Sequence, residues 1–131
     1  MTRLLLPVLL ALALPAVAGE DFRCLKAVGG KSRLQFTNDT DTWATGWVLY
    51  KGGSGRIPIK LESEKERRAV AGRPSEFESR WTEQVEGGGT YVLMSQGARI
   101  YEFAYVRRKD GRTFKYEQDD TAWTEKGCDW K

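Results

Sequence analysis

From residue 33 to residue 118 apolar and polar side chains alternate, and runs rich in Gly, Asn or Asp interrupt the alternation. Period-two patterning punctuated in this way predicts short, half-buried strands joined by turns. Leu34 and Phe36 alternate with Arg33, Gln35 and Thr37, and Asn38-Asp39-Thr40-Asp41 supplies a turn. In the next run Trp43, Trp47 and Leu49 share one face and Ala44, Val48 and Tyr50 the other, which casts Trp43, Trp47 and Trp81 as core fillers. Ile57, Ile59 and Leu61 follow a Gly-rich loop, with Pro58 marking a strand start or edge. Residues 62–75 carry Glu, Lys and Arg with no apolar stripe and read as a long solvated loop. Phe77, Trp81 and Val85 fit a helix face or a strand face, and the meander that follows favours a strand.

That meander, residues 90–118, is the clearest part of the pattern. Asp110-Gly111 is a two-residue hairpin signal, which would pair Arg107 with Phe114 and Tyr105 with Tyr116. Tyr101, Phe103, Tyr105, Phe114 and Tyr116 would then form one aromatic face. The expected fold is all-β: a single small antiparallel barrel or tight sandwich of about 7–8 strands. Asp119-Asp120-Thr121 begins with good capping residues and predicts a short helical turn near the C-terminus.

The first 18 residues change the picture. Arg3, the apolar run Leu4–Leu14 and Ala16-Val17-Ala18 read as a cleaved signal peptide, leaving residues 19–131 as one β domain. Removing Arg3 from 21 basic and 18 acidic residues leaves a net charge of +2. Export to the periplasm or medium places the two cysteines in an oxidising compartment, so Cys24 and Cys128 are expected to form one disulfide.

Candidate chemistry is sparse. The chain has no histidine, which removes the usual base for a serine or cysteine nucleophile and the commonest transition-metal ligand. No metal site and no cofactor are expected, nor a nucleic-acid partner, because +2 is a weak footprint for phosphate binding. Two chemistries stay open besides a non-catalytic binding protein: a barrel that carries a small apolar ligand, and carboxylate-based glycan hydrolysis.

Candidate contact residues lie in three places. Arg67 and Arg68 belong to the charged loop, and Trp123 and Trp130 flank Cys128. Gly87-Gly88-Gly89-Thr90-Tyr91 is the third. Its spacing is similar to the Ser-Gly-x-x-Tyr loop of bacterial periplasmic inhibitors of C-type lysozyme, with Gly87 where that pattern has serine. The resemblance implies a small exported β-barrel with a disulfide near the chain ends, whose loop enters a lysozyme cleft. The expectation is an exported, non-catalytic protein that binds another protein, such as a lysozyme-like hydrolase or a toxin, with no membrane insertion after processing.

Overall fold

The computed structural model describes residues 19–69 and 71–130; the signal-peptide reading of residues 1–18 lies outside them. Eight strands run in order: β1 (Glu20–Ala27), β2 (Arg33–Asp39), β3 (Thr45–Tyr50), β4 (Ile57–Arg68), β5 (Glu76–Glu83), β6 (Thr90–Gln96), β7 (Arg99–Val106) and β8 (Thr113–Gln118). Each pairs antiparallel with its neighbour in sequence, and β8 returns to β1, closing a barrel. A 3₁₀ turn (Asp120–Ala122) and two short strands, β9 (Trp123–Thr124) and β10 (Gly127–Cys128), follow. Of the two expected all-β architectures, the chain adopts the barrel. The turn forms where the capping residues place it, with the Asp119 side chain accepting from the Thr121 N–H and hydroxyl.

An eight-stranded barrel is just wide enough for side chains to fill. Phe36 lies at the centre, its ring centroid 5.3 Å from Phe103, 5.7 Å from Trp81 and 5.9 Å from Tyr91. Leu25, Leu34, Val48 and Ile59 complete the packing. Rings fill the middle of the barrel, and the space left within it lies toward one end.

The tail covers the outside of the barrel wall. Cys24 and Cys128 form a disulfide with Cα atoms 5.7 Å apart, closing a 104-residue separation. Such a loop is worth on the order of 4–5 kcal/mol in the chain-entropy model. Gln35 and Thr37 point away from the core yet are buried. The reason is the tail: the Cys128 N–H donates to Gln35 Oε1 at 3.0 Å, and Gln35 Nε2 donates to Thr37.

Four local expectations are corrected. Residues 62–68 continue β4 instead of looping, paired with β5 through bulges after Leu61 and Glu66; both faces are charged, so no alternation announced a strand. In β3 it is Val48 that faces the core, opposite Phe36, and Trp47 lies outside under the Arg56 guanidinium at 3.9 Å. Tyr101 is the extra residue of a bulge on β7, opposite Met94 and Ser95 of β6, and this shifts the parity of β7: Phe103 points inward and Tyr101 is exposed. Tyr105 pairs with Phe114 and Phe103 with Tyr116, because the β7–β8 connection is a wider loop closed by Arg107 and Arg112. Asp110 builds that loop by accepting from the Arg112 N–H and from Arg107, and only Gly111 takes positive φ there.

Candidate functional site

Antiparallel up-and-down topology sends alternate connections to opposite ends. Residues 28–32, 51–56, 84–89 and 107–112 turn at one end; residues 40–44, the connection from β4 to β5 and residues 97–98 lie at the other, where β1 begins and β8 exits. The two ends are built differently.

The first end is plugged. Glu83, 8% exposed, reaches under the β5–β6 turn and accepts from the Gly89 N–H at 2.9 Å and from the Tyr91 and Tyr105 hydroxyls at 3.0 Å. Tyr91 spends its hydrogen on Glu83, so the Tyr50 hydroxyl, 2.7 Å away, donates to Tyr91. Burial pushes the Tyr105 hydroxyl up to about 12, and the neighbouring Glu83 adds to the shift. Burial likewise raises Tyr50 and Tyr91. The three glycines each have a local reason. Gly87 takes φ +73°, and a Cβ at Gly88 would lie 2.6 Å from Glu83 Cβ. A Cβ at Gly89 would fall 2.5 Å from both the Val106 carbonyl and the Tyr105 hydroxyl.

The contact reading of this segment is therefore corrected. Tyr91 is 0% exposed and Gly89 is buried. Neither reaches a partner, because the glycine run folds inward to seat its backbone on Glu83. Only Gly87 stays exposed, with Gly88 half-buried.

The second end is open. A cavity of about 340 Å³ enters the barrel there, with Trp81, Leu93 and Ile100 as its floor. Asp21, Arg23, Asn38, Glu64, Ser79 and Ser95 form polar walls, and Trp43 stands at the rim. Arg23 is held: it donates to the Ala98 carbonyl at 2.8 Å across the gap between β1 and the β6–β7 turn. The Trp81 indole N–H donates to Ser79 Oγ at 3.2 Å.

Trp43 is the exceptional residue of this mouth. It is 56% exposed, and at φ 54° it is the one non-glycine residue with positive φ among those described. A left-handed conformation costs a bulky L-residue about 1–2 kcal/mol. The loop over-determines it: the Trp43 N–H donates to the Asp39 carbonyl at 2.8 Å, the Asp41 N–H to Asp39 Oδ1, and the Ala44 N–H to Thr42 Oγ1. Strain held in place by its surroundings around an exposed aromatic is the pattern found at binding sites. No periodicity could have signalled this; the one cue was a tryptophan two residues after the turn-forming run 38–41.

The remaining candidates disperse. Arg67 and Arg68 are exposed at the end of β4, where the β4–β5 hairpin overhangs the mouth. Trp123 is half exposed and stacks on Phe22 at 5.5 Å, and Trp130 is half-buried with its indole nitrogen covered and unpartnered. Both lie with the tail on the barrel wall. Comparison with protein-family models, curated proteins and solved structures finds no significant match to the chain.

Proposed function

We propose that the protein is an exported, non-catalytic binding protein whose partner is another protein, and that the contact is made at the open mouth of the barrel. The observation that carries this reading is Trp43. A large ring is held out into solvent, at a backbone cost, above a concave site of mixed charge. Aromatic anchors beside pockets dominate protein recognition energetics. The β4–β5 hairpin adds a second wall through Glu64 and Ser79, with Arg67 and Arg68 exposed farther along it. The bonded pair Cys24–Cys128 supports an oxidising, extracytoplasmic location. No described helix is long and apolar enough to cross a membrane.

The direct test immobilises the protein and challenges it with envelope extract and with a C-type lysozyme. Expected is a retained protein whose binding falls at least tenfold with Trp43→Ala or Glu64→Lys and is unchanged with Glu86→Gln at the plugged end. Retention of nothing, or retention indifferent to both mouth variants, would overturn the proposal.

Carboxylate-based glycan hydrolysis keeps one observation in its favour, since Asp21 and Glu64 line the same mouth near two tryptophans. Both carboxyls are exposed, whereas a general acid is ordinarily made by taking a carboxyl out of water. Turnover of envelope glycan that disappears with both Asp21→Asn and Glu64→Gln would favour hydrolysis over binding.

A further inference from the structure

The plugged end has a chemistry that neither its internal hydrogen bonds nor the mouth explains. Its four turns gather positive charge: Lys31 in the first, Lys51 and Arg56 in the second, and Arg107, Arg108, Lys109 and Arg112 in the fourth. Against these seven the same turns set only Glu86 and Asp110. Asp110 is already engaged by Arg107. The Arg107 hydrogen bond, with a smaller contribution from the Arg112 N–H, holds the Asp110 carboxyl down to about 2. Six of the seven basic side chains are exposed, Arg107 being half-buried. The net charge of the whole chain is only +3, so this end concentrates a surplus that the rest of the molecule offsets.

A second, independent feature falls at the same end. Val28, where β1 enters the β1–β2 turn beside Lys115 of β8, is 57% exposed, and Val85, in the β5–β6 turn, is 47% exposed. Exposed branched aliphatics are poor choices for solvated turns. Here both stand at the same end as the cations, on opposite sides of the rim. Basic side chains alone fit any polyanion; basic side chains flanking projecting apolar tips fit an anionic lipid surface, where phosphates meet the cations and the apolar tips enter the headgroup boundary.

We infer that the plugged end of the barrel docks reversibly on a membrane surface rich in anionic phospholipid headgroups, through Lys51, Arg56, Arg108 and Lys109, with Val28 and Val85 on the rim between these basic turns. Docking at this end turns the mouth and Trp43 away from the bilayer, toward whatever lies in the compartment. It involves no spanning segment. Each basic group near such a surface contributes roughly fivefold in affinity, within reach of ionic screening.

The test is co-sedimentation of the purified protein with vesicles of phosphatidylcholine alone and of phosphatidylcholine mixed with phosphatidylglycerol in about equal parts. Expected is binding to the anionic vesicles only, weakening steeply as salt rises. Lys51→Glu with Arg108→Glu and Lys109→Glu should weaken it roughly 100-fold or more, and Val28→Ser with Val85→Ser several-fold at constant salt. Arg67→Glu with Arg68→Glu, at the opposite end, should leave it unchanged. All these positions are exposed, and a circular dichroism spectrum with an unchanged melting midpoint certifies each fold. No binding to anionic vesicles, or equal binding to both vesicle types, would overturn the inference. So would equal losses from reversals at the two ends. A soluble polyphosphate bound as tightly as the vesicles, with the valine pair making no difference, would assign the patch to an anionic polymer and reject the membrane.

Discussion

The two ends of this barrel solve opposite problems with the same strands. At one end the chain folds a glycine run inward, seats its backbone on a buried carboxyl and ties Tyr91 and Tyr105 to that anchor, with Tyr50 joined through Tyr91, leaving turns rich in basic residues outside. At the other end the floor is apolar, the walls are polar, and a tryptophan is kept in an unfavourable backbone conformation within reach of solvent. The plug has little space and many satisfied polar groups, which is how stability is built. The mouth has space and an unspent aromatic, which is how recognition is built. Glycine and aromatic content, which look alike in a composition, therefore mean different things at the two ends.

The sharpest way to break this contrast is Gly89→Ala. The added methyl meets the Val106 carbonyl and the Tyr105 hydroxyl and forces the turn off Glu83, so a loss of about 3 kcal/mol or more is expected. Ser95→Ala, in the wall of the mouth, should cost less than about 0.5 kcal/mol. Urea midpoints for the two variants measure the difference, and equal losses would erase the distinction. Glu83→Gln comes next. An amide presents donors where the carboxyl accepts from Gly89, Tyr91 and Tyr105, so at least one buried donor loses its partner, at a cost of about 2 kcal/mol.

Alkali tests the same cluster in a graded way. Tyrosine in an unfolded chain ionises near pH 10, while Tyr105 is pushed up to about 12, with Tyr50 and Tyr91 also raised. Above pH 10 the folded state therefore holds more protons than the unfolded one, and stability falls as pH rises. Their contribution is fully present below pH 10, and for Tyr105 it is lost through about pH 12. Unfolding midpoints taken from pH 8 to 12 should be flat at first and then decline, and Tyr105→Phe should make the decline shallower. A wild-type curve that stays flat to pH 12 would deny the cluster its part in holding the plug.

The strands were legible in the sequence wherever one face is dry: Leu34 with Phe36, Tyr91 with Leu93, and Phe114 with Tyr116 all keep the period-two signature. They were illegible where that condition fails. Residues 62–68 pair only with β5, beyond the barrel wall, so both faces are charged and the pattern reads as a loop. A bulge displaced Tyr101 because one extra residue inverts the parity of everything beyond it, and periodicity carries no marker for it. Cys24 and Cys128 were readable by count alone. The mouth was not, because Asp21, Arg23, Asn38 and Glu64 come from three different strands and meet only through closure of the barrel. Gly87-Gly88-Gly89 misled for a physical reason: a run that permits close backbone approach serves an inward plug as well as an outward contact, and Glu83, which decides between them, looks like any other glutamate of a charged surface.

Trp43 separates the two ends with the smallest change in stability. Asparagine adopts the left-handed region far more readily than tryptophan, and the Asp39 and Thr42 hydrogen bonds that shape the loop are made to backbone groups that Trp43→Asn retains. Little packing is lost, since more than half of the ring is exposed. The variant should thus unfold within about 1 kcal/mol of the parent, on the stable side if relief of strain outweighs the lost ring contacts. A residue kept only for folding would not behave this way; one kept for contact would, and its loss should appear as a failure to retain the partner by a protein that folds as well as before. If Trp43→Asn instead destabilises the barrel by 3 kcal/mol or more, on the scale of a core deletion, the ring belongs to the fold and the mouth loses its anchor.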